Sequence, residues 1–146
     1  LDFPASFRFE ITNKCNADCI FCARQYDNSK KSIMDLDLFT NGLKQYFDLG
    51  GKEISLTPTI GEPFLDPLLF ERIRIIKNFN SEAKISFNTN GILLGNDDNI
   101  SKLFELGVDG IAISTAGFDS EMFTRIYRTN GYLKIMNSER KFKVEG

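Results

Sequence analysis

Short runs that alternate apolar and polar residues recur along the chain, separated by stretches in which apolar residues return every three or four positions. A period of two marks strands, and a spacing near 3.6 marks helices. Residues 7–12 (Phe-Arg-Phe-Glu-Ile-Thr) alternate and predict a strand, and the polar stretch 13–33 predicts a loop. Leu36, Phe39, Leu43 and Phe47 space a helix over 36–49, with Asp35 as N-cap and Gly50-Gly51 as the stop. A second strand is expected at 53–58, then a turn-rich segment at 59–66. Asp66 reads as the N-cap of a helix over 67–79, with Pro67 in its first position. A third strand at 84–89 ends at Asn90-Gly91, a helix over 98–106 stops at Gly107, and a fourth strand covers 110–115. From Asp119 to Arg140 the pattern is helical, with an interruption near Asn130-Gly131.

Strand and helix therefore alternate through four units, which predicts an α/β fold: parallel strands joined by right-handed crossovers, with helices packed outside. Chemistry in such sheets sits beyond the carboxyl ends of the strands. Cys15–Cys22 follow the first strand, Gly61-Glu62-Pro63 the second, Asn88-Thr89-Asn90-Gly91 end the third, and Ser114-Thr115 the fourth. All four groups should meet on one rim.

Composition narrows the chemistry. The chain has 146 residues, 42% of them hydrophobic and 26% charged, with a net charge of −2, which fits one globular domain. Lys and Arg are scattered, so neither a nucleic acid nor a membrane surface is an expected partner. No apolar run approaches the roughly 18 residues of a membrane span. Leu1-Asp2-Phe3-Pro4 does not start like a signal peptide, so a cytoplasmic location is expected. Histidine is absent, which removes the commonest general base and metal ligand. The three cysteines all fall within eight residues, a poor disulfide framework and a good metal site.

Cys15, Cys19 and Cys22 form a C-x3-C-x2-C segment. Iron–sulfur clusters are held by cysteine thiolates, normally four of them. Three on one loop would hold three irons of a cubane and leave the fourth open to an outside ligand. An open coordination position is the mark of a catalytic metal site. The alternative is structural zinc, which would need a fourth ligand such as Asp18.

The spacing, with Phe21 just before the last cysteine, resembles the cluster loop of radical S-adenosylmethionine (radical SAM) enzymes. Phe9-Glu10-Ile11-Thr12-Asn13-Lys14-Cys15-Asn16 looks like the approach to that loop in the SPASM/Twitch subgroup. The resemblance implies a 4Fe-4S cluster and S-adenosylmethionine as cofactors. It also implies an electron donor such as flavodoxin or ferredoxin, and a small-molecule or peptide substrate. In that family the reduced cluster cleaves S-adenosylmethionine to a 5′-deoxyadenosyl radical, which takes a hydrogen atom from substrate.

The family's barrel has six β/α units, against four here, so the resemblance implies a partial (β/α) barrel. Residues 1–146 would be a single truncated core domain, as the start at Leu1 suggests. Gly61, Glu62 and Pro63 are similar to the family's Gly-Gly-Glu-Pro segment, which binds the cofactor's amino group, although Ile60 replaces the first glycine. Asn88, with Ser86 behind it, matches a polar position that reaches the cofactor's ribose or carboxylate. Ser114 matches a further cofactor contact. Arg128 matches an arginine that pairs with the methionine carboxylate, and Arg125 competes for that role. A non-catalytic iron–sulfur or electron-transfer module is the alternative function.

Overall fold

The computed structural model describes residues 4–96, 98–116 and 119–137. Four strands form one sheet in the order β1-β2-β3-β4, every neighbouring pair parallel: β1 Ser6–Arg8, β2 Glu53–Ser55, β3 Lys84–Thr89 and β4 Gly110–Ile113. Helices α1 Leu36–Asp48, α2 Leu69–Phe79 and α3 Asn99–Glu105 make the crossovers, and α4 Ser120–Tyr127 follows the last strand. This is the expected α/β fold, a partial barrel of four parallel units.

Alternation along the strands sorts the two faces. Ile54, Leu56, Ile85 and Phe87 are buried against α1 and α2, whose Phe39, Leu43, Leu69, Ile73 and Ile76 complete the core. Burying each such side chain contributes about 1.5–3 kcal/mol. Across the other face the register sets Arg8 beside Ser55, Ser55 beside Ser86, and Asn88 beside Ala112. That face is polar and open, as the inside of an unclosed barrel would be.

Local chemistry explains most element ends. Asp35 caps α1 through its carboxylate, which accepts from the Asp37 and Leu38 amides at 2.9 and 3.0 Å. Gly50 ends the helix with φ of 89°, a conformation that glycine adopts without steric penalty. Three expectations need correction. The first two strands are shorter than the alternation suggested. Past Phe9, whose amide still donates to Ser55 O at 2.9 Å, the Glu10 carboxylate takes the Thr59 amide at 3.0 Å, and side-chain bonding replaces the ladder. Pro58 has no amide to continue it. Helix α2 starts two residues later than expected, at Leu69. Asp66 Oδ1 does accept from the Leu68 amide at 2.9 Å, but Oδ2 is turned inward to Arg72 at 2.7 Å. The fourth strand ends at Ile113 rather than 115.

The expected break in the tail is present. Arg128 caps α4 in the left-handed region (φ 52°), and the chain is helical again over 132–137. The expected continuation to Arg140 lies outside the described residues. Among the described residues no helix is long and apolar enough to cross a membrane.

Candidate cofactor site

The cysteine loop has few regular bonds of its own and is braced from two sides. Arg24 reaches back across it and donates from Nη1 to Cys15 O at 3.3 Å and Ala17 O at 2.7 Å. Its own amide donates to Cys22 Sγ at 3.4 Å. On the far side, the Asp18 and Ile20 amides donate to Tyr127 O and Ile126 O, at 3.1 and 3.0 Å. These are carbonyls of the last turn of α4, which have no partner within their own helix. Ala17 sits in a small second core with Ile92, Phe123, Tyr127 and Ile135. The fourth unit thus packs back under the loop that follows the first strand.

The second loop approaches closely. The Glu62 amide donates to Lys14 O at 2.7 Å. A Cβ at Gly61 would overlap Thr12 O and lie 2.9 Å from Pro58 Cβ, so only glycine fits. Gly61→Ala is therefore expected to push the loop off the cysteine segment. Isothermal titration with S-adenosylmethionine should show at least about a tenfold loss of affinity, or about 1.4 kcal/mol. Far-UV circular dichroism should stay unchanged.

Glu62 is buried, and three donors hold its carboxylate: Thr89 Oγ1 at 2.6 Å and the amides of Asn90 and Phe64 at 2.8 and 3.4 Å. Burial pushes this carboxyl above the usual carboxylate range, against the pull of those donors.

These segments enclose a cavity of about 310 Å³ at the carboxyl ends of the strands. Cys15, Cys19, Phe21, Cys22, Gly61, Glu62, Asn88 and Ser114 all line it. Phe21 is 64% exposed and sets its ring edge-on to Tyr127 at 5.7 Å. The Asn88 amide donates to Thr57 Oγ1 at 3.0 Å. The Ser114 amide donates to Thr89 O at 2.8 Å, and Ser114 O accepts from Tyr127 Oη at 3.0 Å.

Four of the named residues stand outside the lining: Pro63, Arg128 and the two alternatives Arg125 and Ser86, the last exposed lower on β3. Pro63 is buried as the first residue of a 3₁₀ turn, Pro63–Leu65. Arg128 lies exposed beyond the rim, with Nη1 3.4 Å from Asp18 Oδ2. The competing Arg125 is also exposed on α4.

Thr89 and Asn90 were expected on the rim without a role of their own, and five further lining residues were not singled out from the sequence: Arg8, Thr57, Pro58, Thr59 and Tyr127. For Arg8 the signal existed, because strand alternation turns it inward, opposite Phe7 and Phe9. Tyr127 gave none, since its place depends on how α4 folds back.

All three cysteines are free and half-buried. Burial, and then the neighbouring Cys15 and Cys22, push the Cys19 thiol up to about 11, and burial also raises Cys15. Among the described residues no three Cys, Asp or Glu side chains converge tightly enough for one metal ion. A cubane places each cysteine on a different iron, so separate thiols around one cavity fit a cluster better than a zinc knot.

Comparison with known proteins agrees with this geometry. A GTP 3′,8-cyclase of Chlorobaculum tepidum is 29% identical over 128 residues, covering 88% of this chain and 38% of that protein. A probable GTP 3′,8-cyclase of Methanococcus aeolicus is 34% identical over 145 residues, covering 96% of this chain and 46% of that protein. The chain thus spans less than half the length of these curated relatives.

Among solved structures, BtrN in complex with AdoMet and 2-DOIA superposes with a TM-score of 0.71 at 21% identity, over 93% of this chain and 55% of that one. Methylornithine synthase (PylB) gives 0.74 at 19% identity, over 97% and 42%. At those identities the likeness is one of fold. The pattern that defines the Radical SAM superfamily matches residues 9–145. The chain belongs to the radical SAM superfamily, whose members use a 4Fe-4S cluster and S-adenosylmethionine.

Proposed function

We propose that Cys15, Cys19 and Cys22 ligate three irons of the cluster and that S-adenosylmethionine occupies the cavity beside them, at the open fourth iron. The supporting observation is that the cysteines share one cavity with segments from all four strand ends. The cofactor pair supplies a one-electron cleavage of the sulfonium, which yields a 5′-deoxyadenosyl radical able to take hydrogen from an organic substrate.

The chain's own residues bind and orient. Gly61 allows the backbone close to the ligand's ammonium group. The Glu62 carboxylate has about four acceptor positions, of which the structure uses three, so one remains for that ammonium. A cation there would also offset the burial of the carboxylate. Pro63 fixes the turn that presents both. Asn88 and Ser114 offer polar atoms to the ribose, and Phe21 covers the cavity edge. Arg128 would reach the methionine carboxylate by leaving Asp18.

The first step, cleavage of the sulfonium, needs no general base, so the absence of histidine from these residues is no obstacle. A one-electron donor such as flavodoxin or ferredoxin is required, and a cytoplasmic setting suits the thiols. The relatives named GTP 3′,8-cyclase support the reaction class rather than a particular substrate.

The test is anaerobic reconstitution with iron and sulfide, then S-adenosylmethionine and dithionite. 5′-Deoxyadenosine should form. A reversibly reducible cluster that forms none would make the protein an electron-transfer module instead.

A further inference from the structure

Asn90 touches both the cysteine loop and the buried carboxylate of the second loop. It is 8% exposed, just past the end of β3, and its backbone amide, Oδ1 and Nδ2 all have partners on this side of the sheet. Its backbone amide donates to Glu62 Oε2 at 2.8 Å. Side-chain Oδ1 accepts from the Ile92 amide at 3.0 Å, which fixes the orientation of the carboxamide. Nδ2 therefore points at the cysteine loop. It donates to Asn16 Oδ1 at 2.7 Å and lies 3.9 Å from Cys15 Sγ, within reach of a weak hydrogen bond to sulfur.

We propose that Asn90 is a positioning residue that tunes the redox potential of the cluster, its carboxamide donating to the Cys15 sulfur while its backbone amide holds Glu62. The inference rests on ligation of the cluster by Cys15. When a one-electron donor reduces the cluster, the added charge spreads onto the sulfurs. A donor aimed at sulfur therefore stabilises the reduced form more than the oxidised one. Asn90 thus raises the potential and eases the electron transfer on which cleavage depends. Because the same residue fixes Glu62, the pocket for the ammonium and the cluster are held at a set distance by one side chain and its own peptide unit.

The test is an EPR-monitored redox titration of the anaerobically reconstituted full chain. Asn90→Leu keeps the volume and removes the donor. Asn90→Asp keeps the Oδ1 acceptor and replaces the donor with a carboxylate. Both should bind iron as the wild type does and favour the oxidised cluster by about tenfold at a given poise, or about 59 mV for one electron. Asn16→Ala removes the loop tether but leaves the donor to sulfur, so its potential should match the wild type. A potential unchanged in the Leu or Asp variant overturns the proposal, as does an equal fall in Asn16→Ala. Loss of iron from both Asn90 variants also overturns it, because Asn90 would then be a strut of the loop rather than a tuning group. Wild-type protein that binds no iron would instead sink the ligation by Cys15.

Discussion

Cys19→Ala should lose the four-iron load and, with it, 5′-deoxyadenosine formation, by more than about a hundredfold. Losing even an outer partner of a metal ligand typically costs 10–100-fold. Cys19 stands in the middle of the segment and packs against the small core under the loop. Without metal, burial and the two neighbouring thiols keep its proton on, with the pKa raised to about 11. Iron bound there would displace that proton. The loop itself is held by Arg24 and by the carbonyls of α4, neither of which depends on the Cys19 side chain. The variant should therefore melt within a few degrees of the metal-free wild type. Iron and sulfide analysis beside a thermal melt separates loss of the site from loss of the fold.

The largest effect on stability is expected away from the cavity, at the ion pair of Asp66 and Arg72. Both side chains are fully buried, with Nε 2.7 Å from Oδ2. The guanidinium also donates from Nη2 to Met34 O and lies over the Phe39 ring at 4.9 Å. Nη1 has no hydrogen-bond partner among the described residues. Asp66→Asn leaves that cation buried without a countercharge, which costs about 3–5 kcal/mol. Urea denaturation should show the midpoint falling with an unchanged slope. The double variant Asp66→Asn with Arg72→Met should recover part of the loss, because it removes the stranded charge. The pair also joins Met34, at the end of the cysteine loop's return, to the turn that carries Glu62. Iron retention should accordingly fall in the single variant more than in the double one.

The fold was legible because its signals are local. Alternation identified four strands, the spacing of Leu36, Phe39 and Leu43 gave α1, and Asp35 and Gly50 marked its ends. The rim could be assembled on paper because parallel β/α units bring every strand's carboxyl end to one side. The shortfalls came where a side chain took over backbone bonding. Glu10 ends the first strand early by taking the Thr59 amide, and Asp66 turns inward to Arg72 and delays α2. The burial of Arg72 was not legible, since nothing in its sequence neighbours signals a fully buried charge. Asn90 was placed on the rim but given no role, for a related reason. Its contacts with Cys15 and Glu62 span 75 and 28 positions of sequence, beyond the reach of any local pattern.

The central claim is that one iron of the cluster keeps no protein ligand and is chelated by S-adenosylmethionine. Electron–nuclear double resonance on the reduced protein, with the amino nitrogen of S-adenosylmethionine labelled with ¹⁵N, tests it most directly. Adding the labelled compound should alter the EPR line shape and introduce a ¹⁵N coupling to the cluster. An unaltered spectrum without that coupling, from protein carrying its full iron load, would contradict the account.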